Sequence, residues 1–319
     1  MTHVVVRQRI LWPAIIFVAI LTLGAVDAEA KLRPASSSDL AAAAPVDPGS
    51  LAVGGIVSTL APVLAAPRSL DTLTIGIQAL IAASGASAGM TLIELGGATP
   101  AVRSVNGGEV FTAASTYKLA ALMLEAQEIA AGAKDPNGVV CFQADDYESG
   151  WFDDYSDGAC FTRSELAMRV GIDSDNTAGH MLVRDVGGAA VLNAWAASAG
   201  ATGSEFFDGN TTTPDDLAAL WVAEAQGDLG GAAAEAWLYP VLTNTRTESG
   251  VPAGVGGATV VHKTGTIDLV DNDAALIISG PAGPYVLVVM TDGLGGSDGW
   301  QLIAGISSAV WQFETSRAQ

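Results

Sequence analysis

The strand-forming stretches of this chain fall into two groups held apart by a long helical block. That order limits the fold more than any other feature. Met90–Leu95 and Ala101–Val105 read as the two strands of a hairpin around Gly96-Gly97. Ala258–Lys263, Ala274–Gly280 and Tyr285–Thr291 form the second group, with turns between them. Between the groups, apolar residues recur at helical spacing over Ser115–Ala131, Arg163–Val170, Thr177–Val186, Ala189–Ala199, Pro214–Gln226 and Ala232–Val241. Leu70–Ala83 and Asp298–Phe313 add a helix at either end. Strands at both ends enclosing helices predict an α/β (α+β) fold: one five-stranded antiparallel sheet flanked by helices, plus a helical subdomain. No repeat of solenoid length is present.

Half of the 319 residues are hydrophobic, enough for a sizeable core, and only 15% are charged. The charged set is lopsided, with 14 basic against 34 acidic residues and a net charge of -20. Such a surface lacks the basic footprint of nucleic-acid binding and the polybasic face that docks on anionic lipid. Two cysteines and three histidines are too few for an all-cysteine zinc site or a histidine-rich metal centre. No metal or cofactor is expected. At the N-terminus Arg7 and Arg9 precede an uncharged apolar run over residues 10–26, and Ala28-Glu29-Ala30 follows. Residues 1–30 therefore read as a secretory signal, with an uncleaved membrane anchor as the alternative. Either way the rest is exported, to a secreted, periplasmic or cell-surface location. Residues 31–69 are an Ala/Pro/Ser-rich linker, and residues 70–319 the folded domain.

Three short motifs carry chemistry. Ser115-Thr116-Tyr117-Lys118 puts a hydroxyl and an amine three apart at a helix start, on one face. There the unpaired N–H groups of the first turn can stabilise an oxyanion. A lysine with a lowered pKa can take the serine's proton. Ser174-Asp175-Asn176 stands before an apolar helix and is equally a set of helix-capping residues. Lys263-Thr264-Gly265-Thr266 ends a strand, where Lys and Thr suit a substrate carboxylate and Gly265 admits a ligand close to the backbone. Each motif alone is weak evidence. Together they weigh more, because the chain has four lysines and two of them stand in these motifs, in the order of S-x-x-K, S-D-N and K-T-G.

On these residues the sequence resembles class A β-lactamase-like serine hydrolases, the penicillin-recognising active-site serine enzymes. Phe111–Lys118, Ser174–Ala178, Asn210–Pro214 and Val261–Thr266 carry the likeness, which covers roughly residues 70–316. The resemblance implies Ser115 as the acylated nucleophile and Lys118 as its general base. Ser174 would relay a proton to the leaving nitrogen, and Asn176 would contact Lys118 and the substrate amide. Lys263 and Thr264, with Thr266, would bind the substrate carboxylate. The backbone N–H groups of Ser115 and Thr266 would form the oxyanion hole. The implied partner is a small-molecule β-lactam or a peptidoglycan stem peptide.

One part of the family pattern is missing. Hydrolytic members carry an omega-loop acid that activates the deacylating water, but only residues 200–209 separate the helix at 189–199 from Asn210, and no E-x-x-L-N-like motif lies there. Glu205 and Asp208 are the acids in that segment and its candidates for the base, although a solvated loop position accounts for each of them better. Acylation is therefore expected to survive, with slow hydrolysis. Three alternatives stay open: a penicillin-binding-protein-like peptidase or transpeptidase, an esterase, and a non-catalytic wall-binding module. Gly85-Ala86-Ser87-Ala88-Gly89 fits a nucleophile elbow, but a helix precedes it and a strand follows, the reverse of what the elbow requires. His262 alternates away from Lys263 and is expected outside the site. Arg246 is a candidate partner for a substrate carboxylate or, alternatively, an ion-paired surface residue. In an oxidising compartment Cys141 and Cys160 are expected to form a disulfide.

Overall fold

The computed structural model describes residues 68–318 apart from Ala98. The signal or anchor and all but the last two residues of the linker lie outside the described residues. Helix α1 (Leu70–Ser84) leads into strands β1 (Ser87–Glu94) and β2 (Val102–Val105); β3 (Phe111–Thr112) precedes α2 (Tyr117–Ala130). A helical block follows: β4 (Val139–Cys141), β5 (Cys160–Thr162), α3 (Arg163–Gly171), α4 (Asn176–Asp185), α5 (Ala189–Ser198), β6 (Thr211–Thr212), α6 (Pro214–Ala225), α7 (Gly231–Leu238) and the single turn α8 (Val251–Gly254). Strands β7 (Val260–Ile267), β8 (Val270–Ile277) and β9 (Tyr285–Asp292) and helix α9 (Ser297–Arg317) complete the domain.

The two strand groups join into one five-stranded antiparallel sheet, ordered β2-β1-β9-β8-β7. Their seam is β1 against β9, in register from Ser87 opposite Asp292 to Glu94 opposite Tyr285. Side chains alternate across the sheet as the strand period demands. Val286, Val288 and Met290 join the core shared with the helical block. Tyr285, Leu287 and Val289 join the core that α1 and α9 cover on the opposite face. Helix α2 is buried on every side from Tyr117 to Ala126, as a helix enclosed by others must be.

Three boundaries differ from the sequence pattern, each for a tertiary reason. The break expected over Gly85–Gly89 shrinks to Gly85, the left-handed cap of α1 (φ 75°). Gly89 lies inside β1, where an added Cβ would sit 2.8–2.9 Å from Asn106 O and the Phe111 and Pro214 side chains. Strand β7 runs on past Lys263 to Ile267, and β8 begins at Val270 rather than at Ala274. Asp271, Asn272 and Asp273 break the apolar pattern, yet all three are buried with partners: Thr266 Oγ1 (2.9 Å), the Thr112 carbonyl (2.9 Å) and His262 Nδ1 (2.8 Å).

Cys141 and Cys160 face each other across the β4–β5 ladder and are joined by a disulfide. The segment between them is irregular except for one tight turn, Ala144–Asp146. Among the described residues no helix is long and apolar enough to cross a membrane.

Candidate active site

Ser115 lies in the tight turn Ala114–Thr116 between β3 and α2. Ala114 takes a left-handed φ of 48°, unusual for a residue with a Cβ, so neighbours must hold the turn. Asn272 Nδ2 on β8 donates to the carbonyls of Thr112 (2.9 Å) and Ala113 (3.2 Å), and Thr116 Oγ1 also donates to Ala113 O (2.6 Å). Strand β7 closes over the turn at Gly265. A Cβ there would lie 2.7 Å from Ala113 O, 2.9 Å from Thr116 N and 3.0 Å from Ser115 N. The glycine of the K-T-G-T motif thus admits the backbone of the serine turn, not a ligand as its sequence setting implies.

Lys118, the second residue of α2 and one turn beyond Ser115, is fully buried. Its Nζ contacts the Ser174 carbonyl (2.6 Å), Asn176 Oδ1 (2.7 Å) and Ser115 Oγ (3.1 Å). Two of these are fixed acceptors. A neutral amine has two N–H groups and one lone pair, so satisfying both acceptors turns the lone pair toward the serine hydroxyl. Burial pulls the pKa of Lys118 down to about 8, against the charges of Asp175 and Glu148, which favour the cation.

Ser174 also takes a left-handed φ, of 59°. Its carbonyl meets Lys118 while its hydroxyl accepts from Lys263 Nζ (2.9 Å). Lys263, on β7, donates a second bond to Thr264 O (2.8 Å). Burial, then the nearby charge of Lys118, push its pKa well below the ordinary lysine value, with Asp273 opposing. Asp175 between them plays the capping part: its carboxylate accepts from Ala178 N (2.9 Å), the Tyr155 hydroxyl (2.7 Å) and Trp151 N (3.0 Å). The S-D-N motif is therefore a helix cap and part of the site at once.

Two clefts, of ≈ 490 and ≈ 230 Å³, meet at Ser115, Asn176 and Thr266, which line both. Lys263, Thr264, Arg246 and Trp151 line the smaller one. Arg246 is ion-paired with Asp173 and stacked 4.1 Å from the Trp151 ring, which is the ion-paired one of the two roles the sequence left open. In the larger cleft stand Glu148, His180, Phe207 and Asp208. Glu205 lines neither cleft; its backbone pairs with Thr211. Thr266 turns its hydroxyl to Asp271 Oδ1 (2.9 Å). His262 is buried behind β7, bonded to Asp273 (2.8 Å) and Glu248 (3.1 Å), on the face away from Lys263. Among the described residues no three His, Cys, Asp or Glu side chains gather as a metal site.

Sequence reasoning missed Glu148 and His180. Glu148 Oε1 accepts from Asn176 Nδ2 (2.9 Å) and its Oε2 lies 2.9 Å from His180 Nε2. The segment carrying Glu148 has no periodicity that would have marked it. His180 stands one turn beyond Asn176 on α4, the one signal that could have drawn attention to it.

A model of the beta-lactamase enzyme family matches residues 72–313. Among solved structures the chain is similar to PBP-A at 30% identity, covering 78% of this chain and 98% of that one with a TM-score of 0.70. A PBP-A mutant in an acyl-enzyme complex with penicillin G is similar at 29% identity, over 77% and 97% of the two chains, with a TM-score of 0.70. A beta-lactamase from Sphaerobacter thermophilus DSM 20745 follows at 28% identity, over 75% and 96%, with a TM-score of 0.67. No curated protein sequence matches significantly.

Proposed function

The chain belongs to the beta-lactamase enzyme family, and from that premise we propose that it is a serine hydrolase acylated at Ser115 by a β-lactam or related amide and deacylated slowly. The observation that carries this is the hydrogen-bond set of Lys118, whose lone pair has Ser115 Oγ as its remaining partner once two carbonyl-type oxygens are satisfied. Lys118 takes the hydroxyl proton as Oγ attacks the carbonyl carbon. The backbone N–H groups of Ser115 and Thr266 receive the developing oxyanion. Ser174, between the two lysines, hands its proton to the leaving nitrogen and takes in its place the proton that Lys118 received, which returns Lys118 to the neutral amine. Lys263 and Thr264 hold the substrate carboxylate, whose negative charge favours the cationic form of Lys263 that burial opposes.

Slow release is supported by what surrounds Lys118. None of its three hydrogen-bond partners is a carboxylate. The segment over residues 200–209 brings Phe207 instead, edge-on to Tyr117 (5.5 Å) and His180 (5.0 Å). A second reading, a penicillin-binding-protein-like peptidase or transpeptidase on cell-wall peptides, rests on the likeness to PBP-A and uses the same residues. Export through residues 1–30 fits both readings and the disulfide.

Intact-protein mass spectrometry with penicillin G over time is the test. The expected signature is a mass increase of one whole β-lactam that persists for minutes or longer and is absent in Ser115→Ala. Rapid turnover without an adduct would overturn slow release. Absence of both, with release of the terminal residue from a stem peptide, would establish the peptidase reading in its place.

A further inference from the structure

We infer that Glu148, oriented by His180, is the base that activates the water in the slow release of the acyl group from Ser115. The inference rests on the acyl-enzyme reading and supplies what the short segment 200–209 lacks from a different part of the chain. Glu148 and Ser115 line the same cleft, linked through Lys118 and Asn176 by contacts of 3.1, 2.7 and 2.9 Å. The backbone of Glu148 is tied to the start of α4: its N–H donates to Thr177 Oγ1 (3.1 Å), and that hydroxyl donates to its carbonyl (2.7 Å). Its carboxylate is held at both oxygens, by Asn176 and by His180, and each oxygen keeps a lone pair for a water. His180 is itself set by the edge-on ring of Phe207. The side chain of Glu148 is half-exposed, so water reaches it.

The two acids of segment 200–209 fit less well. Glu205 faces neither cleft. Asp208 stands on the cleft wall, but no hydrogen bond among the described residues orients its carboxylate.

The step is balanced. The water oxygen attacks the ester carbonyl carbon while one of its protons moves to the Glu148 carboxylate. The bond from carbon to Ser115 Oγ then breaks, and the proton held by Glu148 passes through water to Oγ. The product leaves as a carboxylic acid, with Ser115 a hydroxyl, Glu148 a carboxylate and Lys118 the neutral amine with which the cycle began.

The experiment forms the penicillin adduct on the full chain, removes free β-lactam and follows loss of the adduct mass. Glu148→Gln is expected still to form the adduct and to lose it about 100-fold more slowly, at the low end of what general-base activation contributes. His180→Asn, which removes only the orientation, should slow decay less and shift its pH profile. Glu148→Ala is the second variant: added formate should restore its decay, which a packing role would not allow. Parent-like decay in Glu148→Gln, or slowing by Asp208→Asn alone, overturns the assignment while leaving the acyl-enzyme reading intact. A parent that forms no adduct overturns both.

Discussion

Lys118 and Lys263 are both buried against Ser174, and neither can be replaced by a cation of fixed charge without changing the chemistry. Burial lowers Lys118 to about 8. The group that abstracts the Ser115 proton is the neutral amine, so acylation should rise with pH through about 8, as the cation is lost. Lys118→Arg keeps the charge but cannot give up its proton. The expected outcome is no detectable penicillin adduct from a chain that still unfolds in one cooperative transition. An arginine variant that acylates at the parent rate would remove Lys118 from the base role. Ser174 shows how closely backbone and chemistry are tied here. Its left-handed φ, which costs on the order of 1–2 kcal/mol in a residue with a Cβ, aims carbonyl and hydroxyl at the two lysines.

At the scale of elements, the irregular excursion between β4 and β5 matters more than its lack of regular structure implies. It carries Glu148 into the larger cleft and Trp151 into the smaller one. Among the contacts that hold it are the Cys141–Cys160 disulfide, the carboxylate of Asp175 beneath Trp151 N, and the Thr177 hydroxyl beneath Glu148. Gly150 permits the second of these, since an added Cβ would lie 2.5 Å from Asp175 Oδ2. Closing a loop with a sequence separation of 19 should stabilise the fold by about 3 kcal/mol in the chain-entropy model. The double variant Cys141→Ser/Cys160→Ser is expected to lose that amount in urea unfolding, and reducing agent should lower the midpoint of the parent but not of the variant. Two reactive thiols in the unfolded, unreduced parent would contradict the bridge.

For the molecule as a whole, buried acids set the response to pH. Glu224 on α6 is fully buried, and neither of its carboxylate oxygens has a hydrogen-bond partner. Burial, then the charge of Glu235, raise its pKa to about 7. A raised carboxyl binds its proton more tightly folded than unfolded. Its contribution is complete below the unfolded value of 4.5 and is lost as pH rises through about 7. His262 acts with the same sign higher up. Burial opposes its charge, but Asp273 and then Glu248 outweigh burial and hold it near 9, so its contribution is lost between 6.5 and about 9. Lys118, lowered, has the opposite sign and restores stability from about 8 upward. The thermal midpoint should therefore fall from pH 5 to pH 8. Glu224→Gln should flatten that fall by on the order of 3 kcal/mol, the worth of a shift of this size. A variant with the parent's slope would show that Glu224 is not the group responsible.

The element types and the three motifs were legible in the residues alone, because helical and strand periods, capping residues and turn glycines act over a few neighbours. Leu70–Ala83 and Pro214–Gln226 match their helices to within a residue. Ser115, Lys118, Ser174 and Lys263 could be named from spacing and type, and the structure brings them within hydrogen-bonding reach of one another. Other features depend on segments far apart in the chain. The start of β8 at Val270 is written in polar residues that look like loop until His262, Thr266 and Thr112 supply their partners. Gly265 is needed because the serine turn lies against it, and Glu148 belongs to the site because Asn176 and His180 receive it. Local pattern specifies what a segment becomes, whereas the groups that meet across a cleft are decided by packing.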